Sequence, residues 1–195
     1  SSPEERPLFA TGHEQGPGWA AGCFGSGAHR FDLLDVQSPV GRLEPGSCQD
    51  GLTIAFSGPS QGEIPWGSAA WEALTRDIEA LNPLPGCLAM RGHHQDVLAD
   101  APACLGWLDR AQKMGLEVGI ALTPASMLVA SMMSTLDEHL ERMFDYLGGR
   151  AAMVILEDLG SEDDQLTARV AGEGLLPGPV MGGLIDRYVP VQTPI

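Results

Sequence analysis

Lysine is nearly absent from this chain. Lys113 is the only one among 195 residues, so almost all of the 11 basic side chains are arginines. Against 26 Asp and Glu they leave a formal charge of -15. Such a surface repels phosphate backbones and anionic headgroups, which argues against nucleic acid and membrane surfaces as partners. Lysine-based catalysis is left with one candidate, at the solvated end of a helix. Long apolar runs are missing too: "MLVASMM" is broken by a serine, and nothing is long enough to span a bilayer. The expectation is a soluble protein of a cytoplasm or an organelle interior, without direct membrane insertion. The opening "SSPEERP" has no initiator methionine, which fits a processed or trimmed chain. The four cysteines, Cys23, Cys48, Cys87 and Cys104, show no C-x-x-C spacing. Free buried thiols are expected in place of a zinc site, with a Cys23 to Cys48 bridge left open.

What is present falls into two parts. Residues 1–50 are rich in Gly, Pro and Ser, and only "RFDLLDV" reads as a strand, so this part is expected to be an irregular arm. Residues 51–195 read as an α/β domain. "LTIAF", "GCLAM", "LEVGIAL" and "AAMVILED" are apolar runs of strand length, and the weak alternation of "LEVGIAL" suits a parallel strand buried on both faces. Between them lie helical patterns. Trp71, Leu74, Ile78 and Leu81 recur on one face, with Ser68 as N-cap, and Trp66 and Trp71 form a candidate anchor for the arm. Cys104, Leu105, Leu108 and Met114 share the face of a second helix, which starts near Pro102 and stops at Gly115. "TLDEHLERMFDYLGG" has a Thr135/Glu138 capping box, a stripe of Leu136, Leu140, Met143, Phe144 and Leu147, and Gly148 as its stop. An acidic loop, "EDLGSEDD", and a last short helix at "PVMGGLIDRYV" complete the order. Alternation of strand and helix predicts an α/β fold with parallel strands. A full (β/α)8 barrel takes about 250 residues, so a reduced or incomplete TIM-type barrel is expected.

"AQKMGLEVGIALTPAS" resembles the helix, glycine and strand of ribulose-phosphate 3-epimerases, whose strand has the form G-[IV]-A-L-x-P-x-[ST]. "RFDLLDV" resembles that family's H-x-D-x-x-D strand, and "GCLAM" its next metal-bearing strand. The similarity spans roughly residues 28–160 with large gaps. "VAGEGLLPGPVMGGLI" is similar to the closing segment of xylose-isomerase-type barrels, a competing resemblance. The resemblance implies proton transfer next to a carbonyl, which needs two acid/base groups and a metal or equivalent. It places Asp32 at the first catalytic acid. The departures matter more: Arg30 and Leu88 stand where the family has histidine ligands, an acidic loop replaces the glycine-rich phosphate turn, and no Asp-Gly-Gly strand end appears.

Other candidates come from the residues themselves. His93 and His94, with Asp96 nearby, could bind a divalent metal together with Asp32 or Glu157, His94 being the preferred ligand. Adjacent strand residues point to opposite faces, which makes joint ligation by the two histidines awkward. Glu157 and Asp158 could be an acid/base pair at a barrel rim or a charged strand exit. "GEG" at 172–174 and "GSG" at 25–27 are too short for nucleotide binding. The expected function is therefore a non-catalytic, epimerase-like α/β domain without cofactor, a structural or interaction subunit contacting protein partners in a larger assembly. The alternative is a sugar or sugar-phosphate isomerase or epimerase using Asp32, Glu157 and a divalent metal.

Overall fold

The computed structural model describes residues 31–35, 52–57, 69–79, 87–162, 165–193 and 195. Five strands form one parallel sheet in chain order: β1 (Phe31–Asp35), β2 (Leu52–Phe56), β3 (Cys87–Arg91), β4 (Val118–Leu122) and β5 (Ala151–Val154). The described crossovers carry α1 (Ala69–Glu79), α2 (Ala101–Lys113), and then α3 (Pro124–Met127) and α4 (Leu136–Leu147). The protein is thus mixed α/β with a parallel sheet. The arm of residues 1–50 lies outside the described residues apart from β1, as do Ser68, Trp66 and Leu81. Among the described residues no helix is long and apolar enough to cross a membrane.

β3, β4 and β5 are largely apolar because both of their faces are buried. Leu88, Met90, Ile120, Leu122 and Val154 join the core formed with α1, α2, α4 and the last helix. The intervening Ala89, Ala121 and Met153 pack with Ile54 on the opposite face. On β3 and β4 the large side chains therefore meet the helices and alanines fill the other side. β5 carries one extra residue against β4, since Ile120 pairs with Ala151 and Ala121 with Met153. The inserted Ala152 lies so close to Gly119 that a Cβ there would meet its methyl at 2.8 Å.

The helices follow the expected stripes with two corrections. α4 buries Leu140, Met143, Phe144 and Leu147, as its pattern requires. Its Thr135, however, makes no side-chain cap, because a 3-10 turn over Ala130–Thr135 runs directly into the helix and supplies the entry. α2 is capped by Asp100, whose Oδ1 accepts from Ala103 N–H at 2.7 Å. Its buried face is Cys104, Trp107, Leu108 and Ala111, while Met114, at the helix end, is exposed. Gly115 follows with φ of 79°. Trp71 of α1 packs on Gly106 of α2, where a Cβ would lie 2.9 Å from the indole.

The acidic segment after β5 is an antiparallel hairpin, not a loop. β6 (Asp158–Glu162) pairs with β7 (Gln165–Arg169), and α5 (Gly178–Tyr188) follows. The backbone ladder sets Asp158 opposite Arg169 and Glu162 opposite Gln165, and the exposed Arg169 side chain binds Glu162. α5 returns to the core through Met181, Leu184 and Ile185.

Candidate functional site

Parallel α/β sheets place their chemistry outside the carboxyl ends of the strands. In this chain that edge is built from Ser57 after β2, the segment from Arg91 to Leu98 after β3, "TPAS" after β4, and Glu157 after β5. Register puts Arg91 beside Ala121 and Phe56, at the last position of β3. Its Nη2 donates to both oxygens of Glu157, at 3.0 and 2.9 Å. The side chains are only 21% and 30% exposed, so solvent screens the pair less than it screens a surface bridge.

Hydrogen bonds tie the strand exits to one another. Pro124 opens the single turn of α3. The single Ser126 hydroxyl proton is then shared between Gly92 O (2.6 Å) and Thr123 O (2.9 Å), joining the exits of β3 and β4. His94 is bound twice to Ser126 O, through its backbone N–H at 2.9 Å and its Nδ1 at 3.1 Å. Ser57 accepts Leu98 N–H at 3.0 Å, linking β2 to the same loop. Gly92 lies under the platform, where a Cβ would meet Met127 Sδ at 2.8 Å and Cys104 Sγ at 3.0 Å. Cys104 is a free buried thiol. Burial above all, and then Asp100, push its pKa far up, so it is packing and not a nucleophile.

The two histidines leave the strand before they are reached, so strand alternation does not govern them. Their rings stack with centroids 4.4 Å apart. Burial lowers the pKa of His93, His94 lowers it further, and Arg91 adds to this against the opposing influence of Asp96 and Glu157. Glu157, Arg91, His93, His94 and Asp96 are therefore one neighbourhood. Among the described residues no three His, Cys, Asp or Glu side chains are grouped to hold a metal ion.

Asp32 is described by its backbone alone. It stands in register with Thr53, Leu88 and Val118. Leu88 and Val118 belong to the helix-side core, whereas Arg91, which holds Glu157, lies in the alternate row.

Asp158, next to Glu157, has a different task. It is 2% exposed, and its carboxylate accepts four backbone N–H groups. Leu159 and Leu176 donate to Oδ1 at 2.8 Å each, Gly172 and Gly174 to Oδ2 at 3.1 and 2.9 Å. Burial alone would raise its pKa, but the four donors hold it below the ordinary value. The "GEG" motif thus has a role that spacing did not show. Gly172 takes φ of 86°, and a Cβ on Gly174 would stand 2.4 Å from the Asp158 carboxylate. Asp158 fastens the segment before α5.

Two cavities lie away from this edge. One of about 590 Å³ sits at the amino ends of β3 to β5, over Leu88, Val118 and Ala152 with Arg150 at its side. Another, of about 470 Å³, lies between α4 and Tyr188 and is lined by Glu138, Glu141 and Asp145. No family model, curated protein or solved structure matches the chain.

Proposed function

We propose that this chain is a non-catalytic α/β domain of the reduced or incomplete TIM barrel kind, built like a ribulose-phosphate 3-epimerase, and that it serves as a structural or interaction subunit of a larger assembly. The observation that carries the reading is the commitment of Glu157 to Arg91 through both of its oxygens. A general base needs a lone pair aimed at its substrate. Here both oxygens of the carboxylate that follows β5 accept from one guanidinium nitrogen, and its neighbour Asp158 is spent on four backbone donors.

The monotonic strand order supports the barrel part of the proposal. Doubly wound sheets reverse their order at a switch point, whereas a barrel adds each strand beside the last. The charge of -15 supports contact with partners of opposite charge. The test is size-exclusion chromatography with light scattering on native material, followed by an epimerase assay on ribulose 5-phosphate with added divalent metal. Elution in a large complex without turnover is the expected result. Metal-stimulated turnover that is lost in Glu157→Gln would overturn the proposal and install the isomerase alternative.

A further inference from the structure

The ribbon of β6 and β7 has one engaged edge and one open edge. In an antiparallel ladder, pairs bonded across the ribbon alternate with pairs whose backbone groups point out of it. Leu159 is of the second kind, because its carbonyl accepts the Leu175 N–H at 2.8 Å, outside the ribbon. Register sets Ala168 opposite Leu159, and Leu166 opposite Ser161 two positions along. Leu166 and Ala168 therefore turn their N–H and C=O groups away from β6, and neither makes another backbone bond among the described residues. Ala168 is exposed, and Leu166 is half-buried against the core. Val170, which continues their alternation, is 68% exposed, the most of any large apolar side chain among the described residues. β7 also lacks the usual guards of a free edge. It has no proline, lysine or bulge, and its one charged side chain, Arg169, lies back over Gly160 towards Glu162.

An open edge of this kind takes an extended strand, whose backbone bonds give affinity and whose alternate side chains give selectivity. Charge decides which strand. Along the chain β7 is preceded by Glu162, Asp163 and Asp164 and followed by Glu173, while Arg169 is already matched by Glu162. A second copy would bring the same acidic flanks and a further charge of -15. We propose that the β7 edge docks an extended segment of a partner protein, with apolar side chains on the face that meets Ala168 and Val170 and basic side chains on the face of Glu162. Backbone N–H groups of that segment donate to the carbonyls of Leu166 and Ala168, and its carbonyls accept their N–H groups. This names a partner for the interaction-subunit reading and rests on it. Its test reads binding at one edge, so it fails separately from that reading.

The experiment titrates the full 15N-labelled chain with a short blocked peptide of alternating arginine and valine, followed by 1H–15N spectra and amide hydrogen exchange. Two controls are the same peptide with glutamate for arginine and its fully N-methylated form, which has no backbone donor. The expected result is saturable shifts at Leu166 and Ala168, whose amides exchange freely alone and slow roughly tenfold or more with the arginine peptide. Its affinity should exceed that of either control by roughly tenfold or more and fall as salt is added. Ala168→Pro removes an N–H that the ribbon does not use, so it should abolish binding with circular dichroism unchanged. If that variant fails to fold, the three peptides compared on the unaltered chain decide. Equal affinities, protection elsewhere than β7, or undiminished binding to a folded Ala168→Pro chain would overturn the proposal. So would concentration-dependent protection of Leu166 and Ala168 without peptide, which would give the edge to a second copy.

Discussion

Replacing Asp158 by Asn is the most informative single perturbation of the fold. An amide keeps one acceptor oxygen for one pair of donors and turns an NH2 group towards the other. With Oδ1 still serving Leu159 and Leu176, the N–H groups of Gly172 and Gly174 would face a donor. A hydrogen bond to a charged group contributes about 1.5–3 kcal/mol, and the glycine N–H groups are only partly buried, so water offsets some of the loss. The expected cost is about 2–4 kcal/mol, a large part of the roughly 5–15 kcal/mol of a whole domain. Urea denaturation should show a lower midpoint at unchanged slope. The pH dependence has a definite sign. The folded pKa of Asp158 lies below its ordinary value of 3.8, so its stabilisation is fully present above that value and lost as pH falls through the folded pKa. The gap between the unaltered chain and Asp158→Asn should therefore narrow as pH drops below 3.8. A difference at neutral pH under about 0.5 kcal/mol, within the range of an ordinary surface change, would refute the clamp.

Other expectations follow from the same structure. Phe144→Ala, which empties a fully buried site on α4, should cost about 3–5 kcal/mol in chemical denaturation. Gly92→Ala should destabilise by about 1–3 kcal/mol in the same assay, because the new methyl must displace Met127 and Cys104. Gly182→Ala and Gly183→Ala should each stabilise by about 0.5–1 kcal/mol, read as a higher thermal midpoint. Both lie on the exposed side of α5, where an added Cβ meets nothing.

The regular part of the fold was legible where one rule dominated. The stripe of α4 read correctly because a helix with one buried face leaves a clear period, and "VGIAL" because a strand buried on both faces leaves a short unbroken apolar run. The hairpin was missed because β7 has no fully buried residue and β6 buries only its first two. Its pairing is a backbone ladder between two largely exposed polar strands, which in the sequence look like a solvated loop. The Thr135 cap failed because a 3-10 turn, invisible to a helical period, already satisfied the entry.

The candidate site was only partly legible. Glu157 and His94 could be picked out as strand-exit residues, but their partners lie 66 and 32 residues away along the chain. No local pattern announces such pairings. Arg91 followed by "GHH" at a strand end was the available signal for the rim, and it was read for metal ligation alone. Asp158 was hidden because its partners are backbone groups, which carry no side-chain signature; the glycines of "GEG" were the only trace.

The central claim is that Glu157 is held by Arg91 as a structural partner. A double-mutant cycle of Arg91→Gln and Glu157→Gln, read by urea denaturation, measures that pairing directly. The account predicts a coupling of about 1–3 kcal/mol, between the values of exposed and buried ion pairs. A coupling near zero would show that Glu157 is not committed to the pair and would contradict the account.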